Sequence, residues 1–221
     1  MMGHRRTNVI RGMVSVAWVA AKLVRVRARA VTTEQVLAAA DRVARRDGID
    51  GLTIRRLCEE LGVTAPSIYV HFASKDAIVE ALVNDILGQV HHPAAGRGDW
   101  LDRLREFIVS VFDQVAPYPG LAGRIARRLP TTPSSQRNAA FLSELFRDAA
   151  LSEHDRANIV PTLLVFTWGH LLGGESDWTI GGGGRLTAQA SRERYLWGLD
   201  HLLESFRRSQ LGALDSKASA R

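Results

Sequence analysis

Apolar residues begin to recur at helical spacing after residue 31, and from there the pattern divides the chain into four short helices followed by longer ones. Val36, Leu37, Ala40, Val43 and Ala44 form one stripe, with Arg42, Arg45 and Arg46 largely on other faces. Thr32 and Gln35 stand at capping-box spacing and predict where this helix starts, and Gly48 predicts its end. Thr53 opens a second helix whose stripe is Ile54, Leu57, Cys58 and Leu61, and Gly62 closes it. Two residues later Thr64 is placed to cap a third helix, with Pro66 in its first turn and Ile68 and Phe72 on one side. Ser74 then caps a fourth helix over 75–87, with Ile78, Ala81, Leu82 and Ile86 as its apolar face.

The segment 91–98 is rich in Pro, Gly and Ala and reads as a linker. Amphipathic stretches follow at 100–115, 121–129, 134–150, 153–172 and 187–211, and a glycine-rich stretch at 173–184 separates the last two. No segment alternates with period two, so the expected fold class is all-α. The organisation read from the pattern is an arm over 1–30, a compact helical head over 31–88, a larger helical region over 89–211 and a flexible tail over 212–221.

Two short helices joined by a tight glycine turn form the unit that sets a recognition helix in a DNA major groove. With Ile68 and Phe72 buried, Thr64, Ala65, Ser67, Tyr69, Val70 and His71 are left at or near the surface. Methyl groups of Thr64, Ala65 and Val70 suit thymine methyls, and Ser67 suits a base edge or a phosphate. Tyr69, His71 and Lys75 suit phosphate oxygens, which fix register rather than sequence. A bland reading stands beside each of these: Tyr69 as a core aromatic, His71 as an idle histidine, Arg55 and Arg56 as solvated helix charges.

Residues 51–76 resemble the DNA-binding domain of TetR-type repressors, through the Leu61-Gly62-Val63 turn, the run from Ile68 to Phe72, and Ser74-Lys75-Asp76. The resemblance is close over 33–86 and looser beyond, where 99–178 is similar to the C-terminal domain of the tetracycline-repressor subgroup. It implies an N-terminal three-helix helix-turn-helix domain and a C-terminal helical domain for ligand binding and dimerisation. It also implies that Thr53 and Arg55 begin the supporting helix near DNA, with Arg55 able to reach a guanine edge, and that Thr64, Ala65, Ser67 and Val70 face bases. Tyr69, His71 and Lys75 would hold the backbone.

The implied partners are a double-stranded DNA operator, a second copy of the chain and a small-molecule effector of unknown identity. Val160, Leu163, Leu164, Thr167, Trp168, Leu171 and Leu172 line one helix face, and Tyr195, Leu196, Leu199, Leu202, Leu203 and Phe206 line another. By resemblance these two helices make a four-helix dimer interface, although each face also suits ordinary core. Phe112, Tyr118, Phe141, Phe146, Trp168 and His170 are candidates to line an effector cavity, or to fill a solid core. The fourth helix would join that cavity to the head.

Charge changes one part of this picture. The chain carries a formal +6, yet residues 1–30 alone hold seven Lys or Arg and no Asp or Glu, so the remainder is about one unit negative. Residues 31–84 hold six Lys or Arg against eight Asp or Glu, so the head must bind through placed contacts. Long-range attraction to DNA would fall to the arm. The arm also reads as a misplaced translation start, with Met13 or Val31 as beginnings, or as a targeting segment, against which Lys22 interrupts the apolar run 13–24. The single cysteine, Cys58, cannot form an internal disulfide and fits a cytoplasmic protein.

Enzymatic readings are poor. The glycines at 181–184 lack the strand and Lys-Ser/Thr of a phosphate loop, adjacent His91 and His92 lack spaced metal partners, and no Gly-x-Ser-x-Gly elbow occurs. Neither cofactor nor metal is expected, and no stretch approaches a membrane span. The rival of a different class is a small-molecule-binding protein that has lost operator recognition.

Overall fold

The computed structural model of the chain describes residues 31–96, 98–127, 131–149, 151–175 and 186–219. The arm, the glycines at 181–184 and Trp178 lie outside them. All regular structure among the described residues is α-helical: α1 Thr33–Asp47, α2 Ile54–Leu61, α3 Ala65–Tyr69, α4 Lys75–Gly88, α5 Trp100–Val115, α6 Leu121–Arg127, α7 Pro133–Asp148, α8 Glu153–Glu175 and α9 Ala188–Ser219. None of them is long and apolar enough to cross a membrane.

The caps read from sequence set the short helices. Gln35 N–H donates to the Thr32 hydroxyl at 3.2 Å, and Thr32 N–H donates to the Gln35 side chain at 3.1 Å. Arg56 N–H donates to Thr53 Oγ1 at 3.2 Å, and Ala77 N–H to Ser74 Oγ at 3.1 Å. Gly62 ends α2 at φ 67° and ψ 32°, a left-handed conformation that side chains resist. Thr64 departs from expectation. It occupies the N-cap of α3 without a side-chain bond to the backbone, and its hydroxyl lies 3.3 Å from that of Ser67 instead.

In the head, α1 packs against α2 and α4, and α2 against α3. Val36, Ala39, Ala40, Val43 and Ala44 are buried against Leu57, Ile68 and Ile78. Of the α2 stripe only Leu57 is fully buried; Ile54, Cys58 and Leu61 border that core. Helix α4 leaves the head to pack on α5 and α7, so one apolar core runs from Val31 to Leu203. Burying such aliphatic side chains stabilises the fold by about 1.5–3 kcal/mol each.

In the body, α8 packs on α5, α6 and α9, and α9 packs also on α5. Helices α8 and α9 approach closely at Gly198, where an added Cβ would lie 2.6 Å from Phe166 Cζ. Helix α9 continues past residue 211, where the sequence reading began its tail.

Candidate functional site

The reading segment is held from behind. Ile68 is completely buried and Phe72 nearly so, which turns the opposite side of α3 outward: Tyr69 is 50% and Val70 80% exposed. Thr64 is exposed, and Ala65 and Ser67 are half-buried beside it. These positions therefore share one outer surface with small or planar side chains, as the spacing predicted.

His71 is not idle. Its Nδ1 lies 3.2 Å from Thr33 Oγ1 at the start of α1, so it ties the end of the reading segment to the first helix. Lys75 is half-buried at the first position of α4, which Ser74 caps.

The two arginines of α2 part company. Arg55 is 88% exposed and its Nε meets Glu59 Oε1 at 2.9 Å along its own helix, an exposed pair that solvent screens. Arg56 turns back to Asp47 at 2.9 Å and to the Gly51 carbonyl at 3.3 Å. It joins a clamp in which Glu60 accepts from Arg42 at 2.8 Å and Arg46 at 3.2 Å. Those two arginines hold the Glu60 carboxyl below its ordinary range. The clamp fixes α2 on α1 and leaves Arg55 as the α2 arginine free to reach outward. Its acidic members drew no notice in the sequence because their partners come from different helices.

The aromatic candidates of the C-terminal half are dispersed over several places. Phe112 and His170 line a cavity of about 470 Å³ with Asp113, Pro117, Pro119, Leu171 and Arg192 among its other walls. Phe141 clusters with Phe107 and His92, its ring centre 4.9 Å from each and theirs 5.8 Å apart. Trp168 borders a separate apolar space of only about 30 Å³, and Phe146 packs edge-on against Trp100. Tyr118 belongs to neither cavity. Of the residues that the sequence offered either as cavity lining or as core, Phe112 and His170 line the larger cavity and Tyr118 and Phe146 are buried elsewhere.

Around the larger cavity, Arg192 makes two contacts with the Asp113 carboxylate, at 2.7 and 2.8 Å. His170 Nε2 lies 2.9 Å from the Ser191 carbonyl, and burial pushes this imidazole below its ordinary pKa. Phe112 stacks on Tyr195 with ring centres 4.0 Å apart, and the Tyr195 hydroxyl meets Thr167 at 3.1 Å.

The loop that floors the cavity also grips the head. Ala116, Pro117 and Pro119 line the cavity, while the Pro119 carbonyl accepts from Ile49 N–H at 2.8 Å. Between those prolines Tyr118 turns the other way, donating to Asp41 and accepting from Arg45. Loop 116–120 links this cavity to the head directly, while α4 lines none of it but packs on α5, whose Phe112, Asp113 and Val115 are cavity walls. Asp76 of α4 also lies 3.4 Å from Arg124 of α6.

The expected dimer faces are only partly internal: Val160, Leu164, Trp168, Leu196, Leu202 and Phe206 are half-buried and Leu172 is exposed. Leu163, Thr167 and Leu171 of α8 and Tyr195, Leu199 and Leu203 of α9 point into the protomer's own core. Among the described side chains of these helices, the large apolar ones left exposed are Val165, Leu172 and Trp197.

Comparison with known proteins places residues 36–82 in the family described as bacterial regulatory proteins, tetR family. The tetracycline repressor protein class C of Escherichia coli is 32% identical over 149 residues, covering 65% of this chain and 68% of that protein. The class A repressor from transposon 1721 of Escherichia coli is 34% identical over 137 residues, covering 59% of this chain and 62% of its own length. Among solved structures, a possible TetR family transcriptional regulator from Streptomyces coelicolor A3(2) superimposes with a TM-score of 0.63 at 25% identity, covering 80% of this chain and 98% of that one.

Proposed function

The chain belongs to the TetR family of bacterial regulatory proteins, and from that premise we propose that it is a cytoplasmic, homodimeric repressor released from a palindromic operator by a small molecule. The observation that carries this reading is the outward pair Tyr69 and Val70. Val70, an apolar side chain 80% exposed at the end of a helix anchored by buried Ile68 and Phe72, is left uncovered by the described residues. A thymine methyl in the major groove is a suitable partner for it.

In this reading Thr64, Ala65, Ser67 and Val70 face bases, and Arg55 exchanges Glu59 for a guanine edge. Tyr69, Lys75 and Thr53 hold phosphates; His71, tied to Thr33, sets the angle of the reading segment. Two heads about 34 Å apart on a two-fold dimer would read the two halves of a palindrome. The exposed Val165, Leu172 and Trp197 are the surfaces that a second copy would cover.

A ligand in the 470 Å³ cavity presses on the 116–119 loop and so on α1, changing head spacing. Coupling of about 1–3 kcal/mol is enough to change DNA affinity 5- to 150-fold. No catalytic role is assigned to any residue.

The test is a gel shift of the full chain on DNA upstream of its own coding sequence. A specific shift at moderate salt supports the repressor. Folded dimer without a specific shift overturns it in favour of a small-molecule-binding protein.

A further inference from the structure

The head holds little positive charge in reserve. Residues 31–84 contain six Lys or Arg, and five of them lie against carboxylates of the head itself. Arg42 meets Glu60 at 2.8 Å, Arg45 meets Asp41 at 3.0 Å, Arg46 meets Asp47 at 3.1 Å, Arg55 meets Glu59 at 2.9 Å and Arg56 meets Asp47 at 2.9 Å. These pairs are exposed and can open, but each carboxylate stays on the surface beside its arginine. The head therefore offers a phosphate backbone no net positive field. Residues 1–30 differ: they hold seven Lys or Arg and no Asp or Glu.

The described residues fix where that segment joins the head. Val31 is 7% exposed and belongs to the core, and Thr33 Oγ1, at the start of α1, lies 3.2 Å from Nδ1 of His71 at the end of the reading segment. Chain length then bounds the rest. Two residues span at most about 7 Å and six about 20 Å, so Arg29, Arg27 and Arg25 all originate within about 20 Å of Val31. The basic residues nearest the head thus enter beside the reading segment.

Their spacing suits one groove. Residues two apart in an extended chain project to the same side about 6.8 Å apart, which is two base-pair rises of about 3.4 Å. The minor groove, about 6 Å wide, excludes a helix but admits an extended chain, and arginines are drawn there most strongly where A·T pairs narrow it. Val26 and Ala28, which alternate with the three arginines, are compact and uncharged.

We propose that Arg25, Arg27 and Arg29 enter the minor groove of A·T-rich DNA flanking the site read by α3, so that each protomer reads two grooves. The proposal rests on the reading of the chain as a DNA-binding regulator, and it extends that site beyond the major groove. Arg5, Arg6 and Arg11, farther from Val31, attract phosphates without a fixed register.

The experiment uses the full chain and two DNA series, read by gel shift and fluorescence anisotropy at several salt concentrations. In the first, the shortest upstream duplex that the chain shifts carries short flanks of A·T, inosine·cytosine or G·C pairs. In the second, the same three kinds of pair make duplexes with no operator. Inosine lacks the guanine N2 amino group, so its pair with cytosine matches A·T in the minor groove and G·C in the major groove. The expected result is that A·T and inosine·cytosine bind alike and about tenfold tighter than G·C, the scale of one mismatched pair. Arg25→Ala, Arg27→Ala and Arg29→Ala together should abolish this preference and flatten the salt dependence. Arg5→Ala, Arg6→Ala and Arg11→Ala together remove the same charge and should flatten the salt dependence with the preference intact.

Equal affinity for the three kinds of pair overturns the proposal, as does inosine·cytosine ranking with G·C. So does a preference that survives the loss of Arg25, Arg27 and Arg29, or one lost equally with Arg5, Arg6 and Arg11. The second series needs no operator. A flat ranking beside an intact operator shift refutes only the minor-groove contact, and the expected ranking beside no operator shift refutes only the operator reading.

Discussion

Tyr118 reaches out of the body to give its hydroxyl proton to Asp41 on α1, while Arg45, paired with the same carboxylate at 3.0 Å, donates back to the tyrosine oxygen. Burial and the bond to Asp41 push the phenol above its ordinary pKa, so the proton stays where the contact needs it. Tyr118→Phe keeps the ring and removes this link. It should lower stability by about 1–2 kcal/mol in urea unfolding, in line with a lost bond to a charged group. It should also narrow the gap between ligand-free and ligand-bound operator affinity. An unchanged gap would mean the loop does not carry the coupling.

The division of labour on the reading surface predicts two kinds of DNA-binding defect. Arg55→Ala and Ser67→Ala should lose discrimination of about 1–3 kcal/mol between the cognate site and single-base variants. Tyr69→Phe and Lys75→Ala should weaken cognate and random DNA alike, and Lys75→Ala should reduce the salt slope by about one. Competition gel shifts at several salt concentrations separate these outcomes. Equal losses on both DNAs for all four variants would refute the assignment.

Thr53 and Thr64 look alike in sequence and differ in the structure. Thr53 accepts from Arg56 N–H at 3.2 Å, whereas the Thr64 hydroxyl meets only the Ser67 hydroxyl at 3.3 Å. Thr53→Ala should therefore cost about 1 kcal/mol of stability. Thr64→Ala should cost a few tenths of that and act mainly on operator affinity. Thermal unfolding beside a gel shift checks both.

What was legible in the sequence was local. Capping of α1 by Thr32 and Gln35, of α2 by Thr53 and of α4 by Ser74 is written within four residues, and so is the left-handed stop at Gly62. The outward face of α3 follows from Ile68 and Phe72 being four apart. The partners of Tyr118 and Glu60 lie on other helices and leave no periodic trace. For the same reason aromatic content could not separate Phe112 and His170, on a cavity wall, from Phe141 and Phe146, which fill core. The apolar stripes of α8 and α9 mark sides only partly buried in the protomer's own interior, with Leu172 exposed on one of them, whereas the outward Val165 and Trp197 fall off the stripes.

His170 gives the fold a pH dependence whose sign can be stated. Burial lowers its pKa in the folded chain, so the folded state favours the neutral ring. An unfolded histidine titrates near about 6.5. As pH falls through that value the unfolded chain takes the proton first and gains relative to the fold. The contribution of His170 is therefore complete above about 6.5 and declines below it, until the folded pKa is passed, by at most about 1.4 kcal/mol per pH unit. Replacing His170 by Phe removes this dependence. Urea unfolding at about pH 7.5, 6.5 and 5.5 should show a steeper loss for the unmodified chain than for His170→Phe, with the two running parallel at the upper end. Equal slopes across the whole range would show that His170 titrates in the fold as it does in the unfolded chain, and that the ring is not desolvated by the cavity wall.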